Sequence, residues 1–149
     1  MTRREAREAA FQLVFQMEFQ KELSADTHIA LAVESRELES DDYLERLVML
    51  VAEKQVSLDQ KITAHLNKWR LERLPKVTLA LLRLAVCELD SLPDIPIGVT
   101  INEVVELAKQ YASEEDAAYL NGVLGSYVRA TPPHKETEQG KDDTPCPDA

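Results

Sequence analysis

Residues 74–128 read LPKVTLALLRLAVCELDSLPDIPIGVTINEVVELAKQYASEEDAAYLNGVLGSYV, and this stretch decides the fold. From Lys76 to Asp90, apolar residues fall on every side of a helix: Val77, Leu79, Leu81, Leu82, Leu84, Ala85, Val86 and Leu89. A surface helix keeps a polar face, so a helix apolar all round is a central one. The segment Asp94 to Ile101 alternates Ile95, Ile97, Val99 and Ile101 as a strand would, but Pro93 and Pro96 lack ladder donors and a lone strand has nothing to pair with. It is expected to be an extended turn whose isoleucines plug the core. A helix from Val99 or Thr100 to Ala112 follows, with Ile101, Val104, Val105 and Ala108 inward. Ser113 then caps a last helix whose first turn, Glu114, Glu115 and Asp116, suits the positive end of the helix dipole.

Upstream of Pro75 the pattern is also helical. Thr2 with Glu5 three residues on forms a capping box, and the first helix is expected to run to about Glu22. Ala6, Ala10, Leu13, Val14 and Met17 make one apolar stripe at 3.6 spacing, and Phe11, Phe15 and Phe19 make a second on nearly the opposite side. Such a helix is buried on two sides, or buried on one and open to a partner on the other. Further helices are expected at about 25–38, 41–55 and 57–68, the last two nearly continuous. With only four glycines and no internal repeat, the chain reads as all-α, about seven helices in one domain over residues 1–131. Residues 132–149 follow Pro132 and Pro133 with almost no apolar content and read as a disordered acidic tail.

The 149 residues suffice for one core, and a formal charge of −10 argues against nucleic-acid binding by bulk electrostatics, which needs a Lys and Arg surplus. Any contact with a polyanion must be local or shared with a partner. No run approaches the roughly 18–20 apolar residues that span a bilayer, so a cytoplasmic protein without membrane contact is expected. Cys87 lies in an apolar run and Cys146 in the polar tail, which disfavours a disulfide, and no Cys/His cluster has metal-ligand spacing. His28, His65 and His134 are scattered, and no phosphate-binding, dinucleotide, nucleophile-elbow or zinc-protease motif is present. No enzyme activity, cofactor or metal is expected.

A few residues resist explanation by packing. Arg83 lies within the apolar central helix and needs a carboxylate; Glu103, at the edge of the next helix's inward face, is the expected partner. Rotating the last helix at about 100° per residue places Asn121 inward, as a buried amide bonded to backbone, and Tyr119 outward beside Ala118 and Gly122. An outward ring bordered by small residues is either an ordinary surface tyrosine or a platform on which a base can stack. Arg3, Arg4 and Arg7 share one side of the first helix. They form a solvated face or, since the planar arginine fork suits phosphate, an anion contact.

Three segments, RREAREAAFQLVFQMEF, WRLERLPKVTLALLRLAVCEL and DIPIGVTINEVVELAKQYASEEDAAYLNGVL, resemble in order the arginine-rich first helix, central helix and C-terminal signature of the NusB family of bacterial transcription antitermination factors. The resemblance covers about residues 2–130. It implies an all-helical fold of two small bundles, here about 2–70 and 75–131, that binds boxA RNA of ribosomal RNA leader transcripts with NusE, a small-subunit ribosomal protein, in the RNA polymerase antitermination complex. By position, Arg3, Arg4 and Arg7 match the RNA-binding arginines, Tyr111, Glu115 and Tyr119 match RNA-facing positions, and Phe15, Leu66 and Thr78 match the NusE side.

Some positions depart from the family pattern. Glu5 interrupts the arginines, Ala118 replaces a basic residue, and Leu66 and Thr78 replace polar or aromatic types. RNA binding by the isolated chain is therefore expected to be weak, with NusE supplying basic surface. The other reading is a helical protein-interaction module that forms a homodimer through the phenylalanine stripe.

Overall fold

Thr2 starts the first helix through a reciprocal pair of hydrogen bonds: the Glu5 amide donates to Thr2 Oγ1 at 3.0 Å and the Thr2 amide donates to Glu5 Oε1 at 2.8 Å. From there the chain forms α1 (Arg3–Phe19), α2 (Ala25–Glu34), α3 (Asp42–Glu53), α4 (Gln55–Thr63), a 3-10 turn (Leu71–Arg73), α5 (Lys76–Ser91), α6 (Ile97–Tyr111) and α7 (Glu114–Ala130). The computed structural model describes residues 1–67 and 70–130. The expected tail 132–149, with His134 and Cys146, lies outside the described residues; the fourth helix, expected to run to about 68, instead ends at Thr63, where the His65 and Leu66 amides turn back to the Ile62 and Thr63 carbonyls at 2.9 and 3.2 Å.

Side-chain caps explain most helix starts. Ser24, Asp41 and Ser113 each accept a hydrogen bond from the amide three residues on, at 3.2, 3.0 and 3.0 Å, and so satisfy an amide that has no partner within its helix. The boundaries differ from expectation where local chemistry intervenes. α1 stops at Phe19, since Gln20, Lys21 and Glu22 are exposed and nothing there is buried to hold another turn. α2 stops at Glu34 because Arg36 takes a left-handed φ of 64°. The Arg36 amide then donates to the Val33 carbonyl and the Glu37 amide to the Ala32 carbonyl, both at 3.1 Å, which closes the helix in a Schellman motif. Lys54 alone separates α3 from α4, as the near-continuity of their patterns predicts.

The segment after Pro93 is corrected. α6 begins at Ile97, immediately after Pro96, so only Ile95 sits deep in the core from the extended turn. Ile97 and Ile101 are half-buried, and the helical turn carries Val99 out to solvent.

α5 is the central helix: every residue from Thr78 to Leu89 is buried. α1, α2 and α3 pack on one another, with α1 and α3 also on α5; α6 and α7 pack on each other and both on α5; α4 packs on α3, α5 and α7. Leu81, Leu82 and Leu84 expose none of their surface, and each contributes about 1.5–3 kcal/mol by leaving water. Cys87 is equally enclosed, and burial pushes its thiol up to about 12, which leaves it an inert core side chain. No helix among the described residues is long and apolar enough to cross a membrane.

Candidate nucleic-acid interface

The three arginines of α1 share a helix but not an environment. Arg7 is 2% exposed and donates through Nε and Nη2 to the Glu88 carboxylate at 3.1 and 3.0 Å. Glu88 also accepts from the Tyr43 hydroxyl and, at 2.6 Å, from Thr100 Oγ1. One buried carboxylate thus collects donors from α1, α3 and α6, as a buried charge must to offset its lost hydration. Burial acts to lower the Arg7 pKa, but the hydrogen bonds and charge of Glu88 outweigh it and leave the guanidinium more firmly protonated than usual. Burial and the same carboxylate raise the Tyr43 phenol. The expectation that Arg7 faces a phosphate is therefore corrected: its fork is enclosed.

Arg4 and Arg3 remain on the surface. Arg4 donates from Nε and Nη2 to the two Glu103 oxygens at 2.9 and 2.8 Å, a bidentate pair joining α1 to α6. That bond, more than the burial that opposes it, holds the Glu103 carboxyl below its ordinary pKa. Arg3 extends over the Tyr43 ring with its guanidinium carbon 4.1 Å from the centroid. Arg4, Glu103, Glu106 and Lys109 border a groove of about 480 Å³ between α1 and α6, in which Lys109 also reaches Glu106 at 3.4 Å.

Arg83 is buried and paired, but not with Glu103. Nε and Nη2 grip Asp59 on α4 at 2.8 and 2.9 Å, and Nη1 reaches Glu18 near the end of α1 at 2.8 Å. Glu103 lies on the helix after α5, where Arg4 captures it; Arg83 points to the α4 side instead. Burial pushes the Glu18 carboxyl up, yet Arg83, Lys21 and Lys76 outweigh it and leave the pKa lowered.

On α7, Ala117, Leu120, Val123, Leu124 and Tyr127 are buried, so the inward arc lies farther toward Val123 and Tyr127 than the spacing suggests. Two anchors set that rotation. The Tyr127 hydroxyl donates to Asp90 at 2.6 Å, and Ser126 Oγ meets His65 Nδ1 at 2.8 Å. Asn121 is consequently exposed rather than an inward amide. Tyr119 is half-buried against the core, and its hydroxyl is enclosed without a hydrogen-bond partner among the described residues. The open outward ring expected there is not what the helix presents. Tyr111, at the end of α6, packs on Phe11 with centroids 4.9 Å apart, accepts from Gln12 Nε2 at 2.9 Å and donates to Glu8, which raises its pKa. Glu115 is exposed in the first turn of α7.

The expected partner face is graded. Phe11 is buried, Phe15 is half-buried and Phe19 is 60% exposed, with Phe15 and Phe19 in edge contact at 5.0 Å. Leu66 is half-buried, whereas Thr78 is 2% exposed and cannot present its side chain to a partner. Sequence reasoning missed Glu88, Tyr43, Glu18 and Asp59. Glu88 was detectable by the argument applied to Arg83, since a carboxylate within a run of buried apolar residues also requires a partner.

Fold and surface together define an all-helical scaffold with paired buried charges, an arginine-bearing edge and a partly uncovered aromatic face. The NusB family model matches residues 4–129, and the chain belongs to the NusB family. It is 44% identical over 126 residues to the transcription antitermination protein NusB of Listeria welshimeri, covering 85% of this chain and 95% of that protein. The NusB of Acetivibrio thermocellus is 41% identical over 131 residues, covering 87% and 90%. Among solved structures, T. maritima NusB superposes with a TM-score of 0.76 at 33% identity, over 87% of this chain and 92% of that one. A chain from the crystal structure of antitermination factors NusB and NusE in complex with dsRNA matches with a TM-score of 0.76 at 28% identity, over 87% and 99%.

Proposed function

We propose that this chain is a transcription antitermination factor that binds boxA-type RNA of ribosomal RNA leader transcripts together with NusE and so promotes read-through by RNA polymerase. The observation that carries this reading is the match to nearly the whole length of a chain solved with NusB, NusE and dsRNA. The protein acts in the cytoplasm by binding, without catalysis or a cofactor. Arg3, Arg4, Tyr111 and Glu115 are the surface residues assigned to RNA. The face with Phe15, Phe19 and Leu66 receives NusE. Arg7 and Thr78 support these surfaces from inside, and Tyr119 contributes only the exposed part of its ring.

The acidic balance of the chain fits shared binding, because phosphate neutralisation then draws on the partner's cations as well. A gel shift with boxA RNA at fixed salt is expected to show weak binding alone and a tight complex with NusE. No complex under either condition overturns the proposal. Exposed Phe19 favours a second reading, a homodimer that closes over the aromatic face. Light scattering separates the two: a dimer that persists when NusE is added supports the second.

A further inference from the structure

Of the three α1 arginines, two have their forks committed: Arg4 to Glu103 and Arg7 to Glu88. Arg3 does not. Among the described residues, neither Arg3 nor Arg46 forms an ion pair with a carboxylate. The two meet in one place, a groove of about 190 Å³ that both line together with Tyr43, Pro93 and Ile95. Arg46 is three residues after Tyr43 on α3, so the two side chains share a helix face. The Tyr43 ring is fixed because its hydroxyl is tied to buried Glu88. The Arg3 guanidinium carbon lies 4.1 Å from the centroid of that ring, a contact that uses none of its five N–H donors in a carboxylate pair and so leaves donors for another acceptor. Asp42 and Asp94 on the rim hold the groove near neutrality, so it suits one phosphate held by two forks rather than a broad attraction for polyanions.

We propose that Arg46 and Arg3 form a subsite for a phosphate of the RNA backbone, extending the RNA-binding surface from α1 onto α3. This rests on the RNA-binding function proposed above. Arg3 is adjacent in the chain to Arg4, so one strand can pass from the α1–α6 groove to the α1–α3 groove.

The test is a salt titration of boxA RNA binding by the full chain with NusE, comparing wild type with Arg46→Gln and Arg46→Lys. Arg46→Gln is expected to weaken binding to all RNA sequences alike and to reduce the slope of log K against log salt by about 0.7, the value for one single-strand phosphate contact. Its melting temperature is expected to match wild type, since Arg46 is exposed and has no ion-pair partner among the described residues to lose. Arg46→Lys should keep the slope while losing part of the affinity, because a point charge replaces a fork. If Arg46→Gln leaves slope and affinity unchanged while wild type binds, the subsite falls and the function stands. If wild type with NusE binds no RNA, both fall.

Discussion

Two charges of opposite sign, Arg83 and Glu88, lie five residues apart in the buried stretch of α5, and each is neutralised from a different part of the protein. Breaking one member of such a pair is costly because its partner stays buried without compensation. Glu88→Ala is expected to lower stability by about 3–5 kcal/mol, since Arg7 has no route to solvent. Urea unfolding measures this, and a loss well under 1 kcal/mol would show that the network adjusts. Arg83→Leu takes from Asp59 its buried partner and leaves Glu18 only the more exposed Lys21 and Lys76, whereas Glu103→Ala releases exposed Arg4, which water already screens, and leaves Arg7 its bidentate pair with Glu88. The urea midpoint should therefore fall further for Arg83→Leu than for Glu103→Ala; the reverse order would contradict these pairings.

At the scale of the helix, α2 ends on a left-handed residue that is not glycine. Arg36 holds φ at 64°, where a Cβ is disfavoured, to close the Schellman hydrogen bonds. Arg36→Gly should raise stability by about 1 kcal/mol in thermal or urea unfolding, and a loss would mean that the arginine side chain contributes more than its backbone costs. α7 offers a second test. Tyr119 packs on the core while its hydroxyl is enclosed without a partner among the described residues, so Tyr119→Phe should gain about 1 kcal/mol by removing a desolvated polar group. Tyr119→Ala should lower the melting temperature, an outcome that an open stacking platform would not give.

Across the whole molecule, carboxylates hold α1 to α5 and α6, and α4 to α5, and this makes folding sensitive to acid. Burial raises the Glu18 carboxyl, but Arg83, Lys21 and Lys76 bring it below its ordinary value; Arg4 does the same for Glu103 against a smaller burial effect. A carboxyl with a depressed folded pKa binds fewer protons folded than unfolded. Its stabilisation is complete above the unfolded value of about 4.3 and is lost as pH falls through the lower folded value. Urea midpoints measured downward from pH 6 should therefore decline below about pH 4.3, and Glu18→Gln should flatten that decline. An unchanged slope in the variant would place the acid sensitivity elsewhere.

Periodicity and capping made the all-helical fold legible, and they marked α5 as central because local spacing reports which faces are apolar. The three family segments likewise pointed to RNA and to a protein partner before any contact was known. What the sequence could not convey was which charge meets which. The partners of Arg7 and Arg83 lie 81, 24 and 65 residues away, and helical spacing carries no information over such separations. It also left the rotation of α7 open, since a 17-residue helix with small residues on several faces permits neighbouring registers of burial. Tertiary contacts to Asp90 and His65 chose among them, turning Asn121 out and Tyr119 partly in. The sequence by itself determined the helices and the family, because both are written in local pattern. The tertiary structure alone decided which arginines are buried and which stay at the surface, because burial is a property of the packed whole.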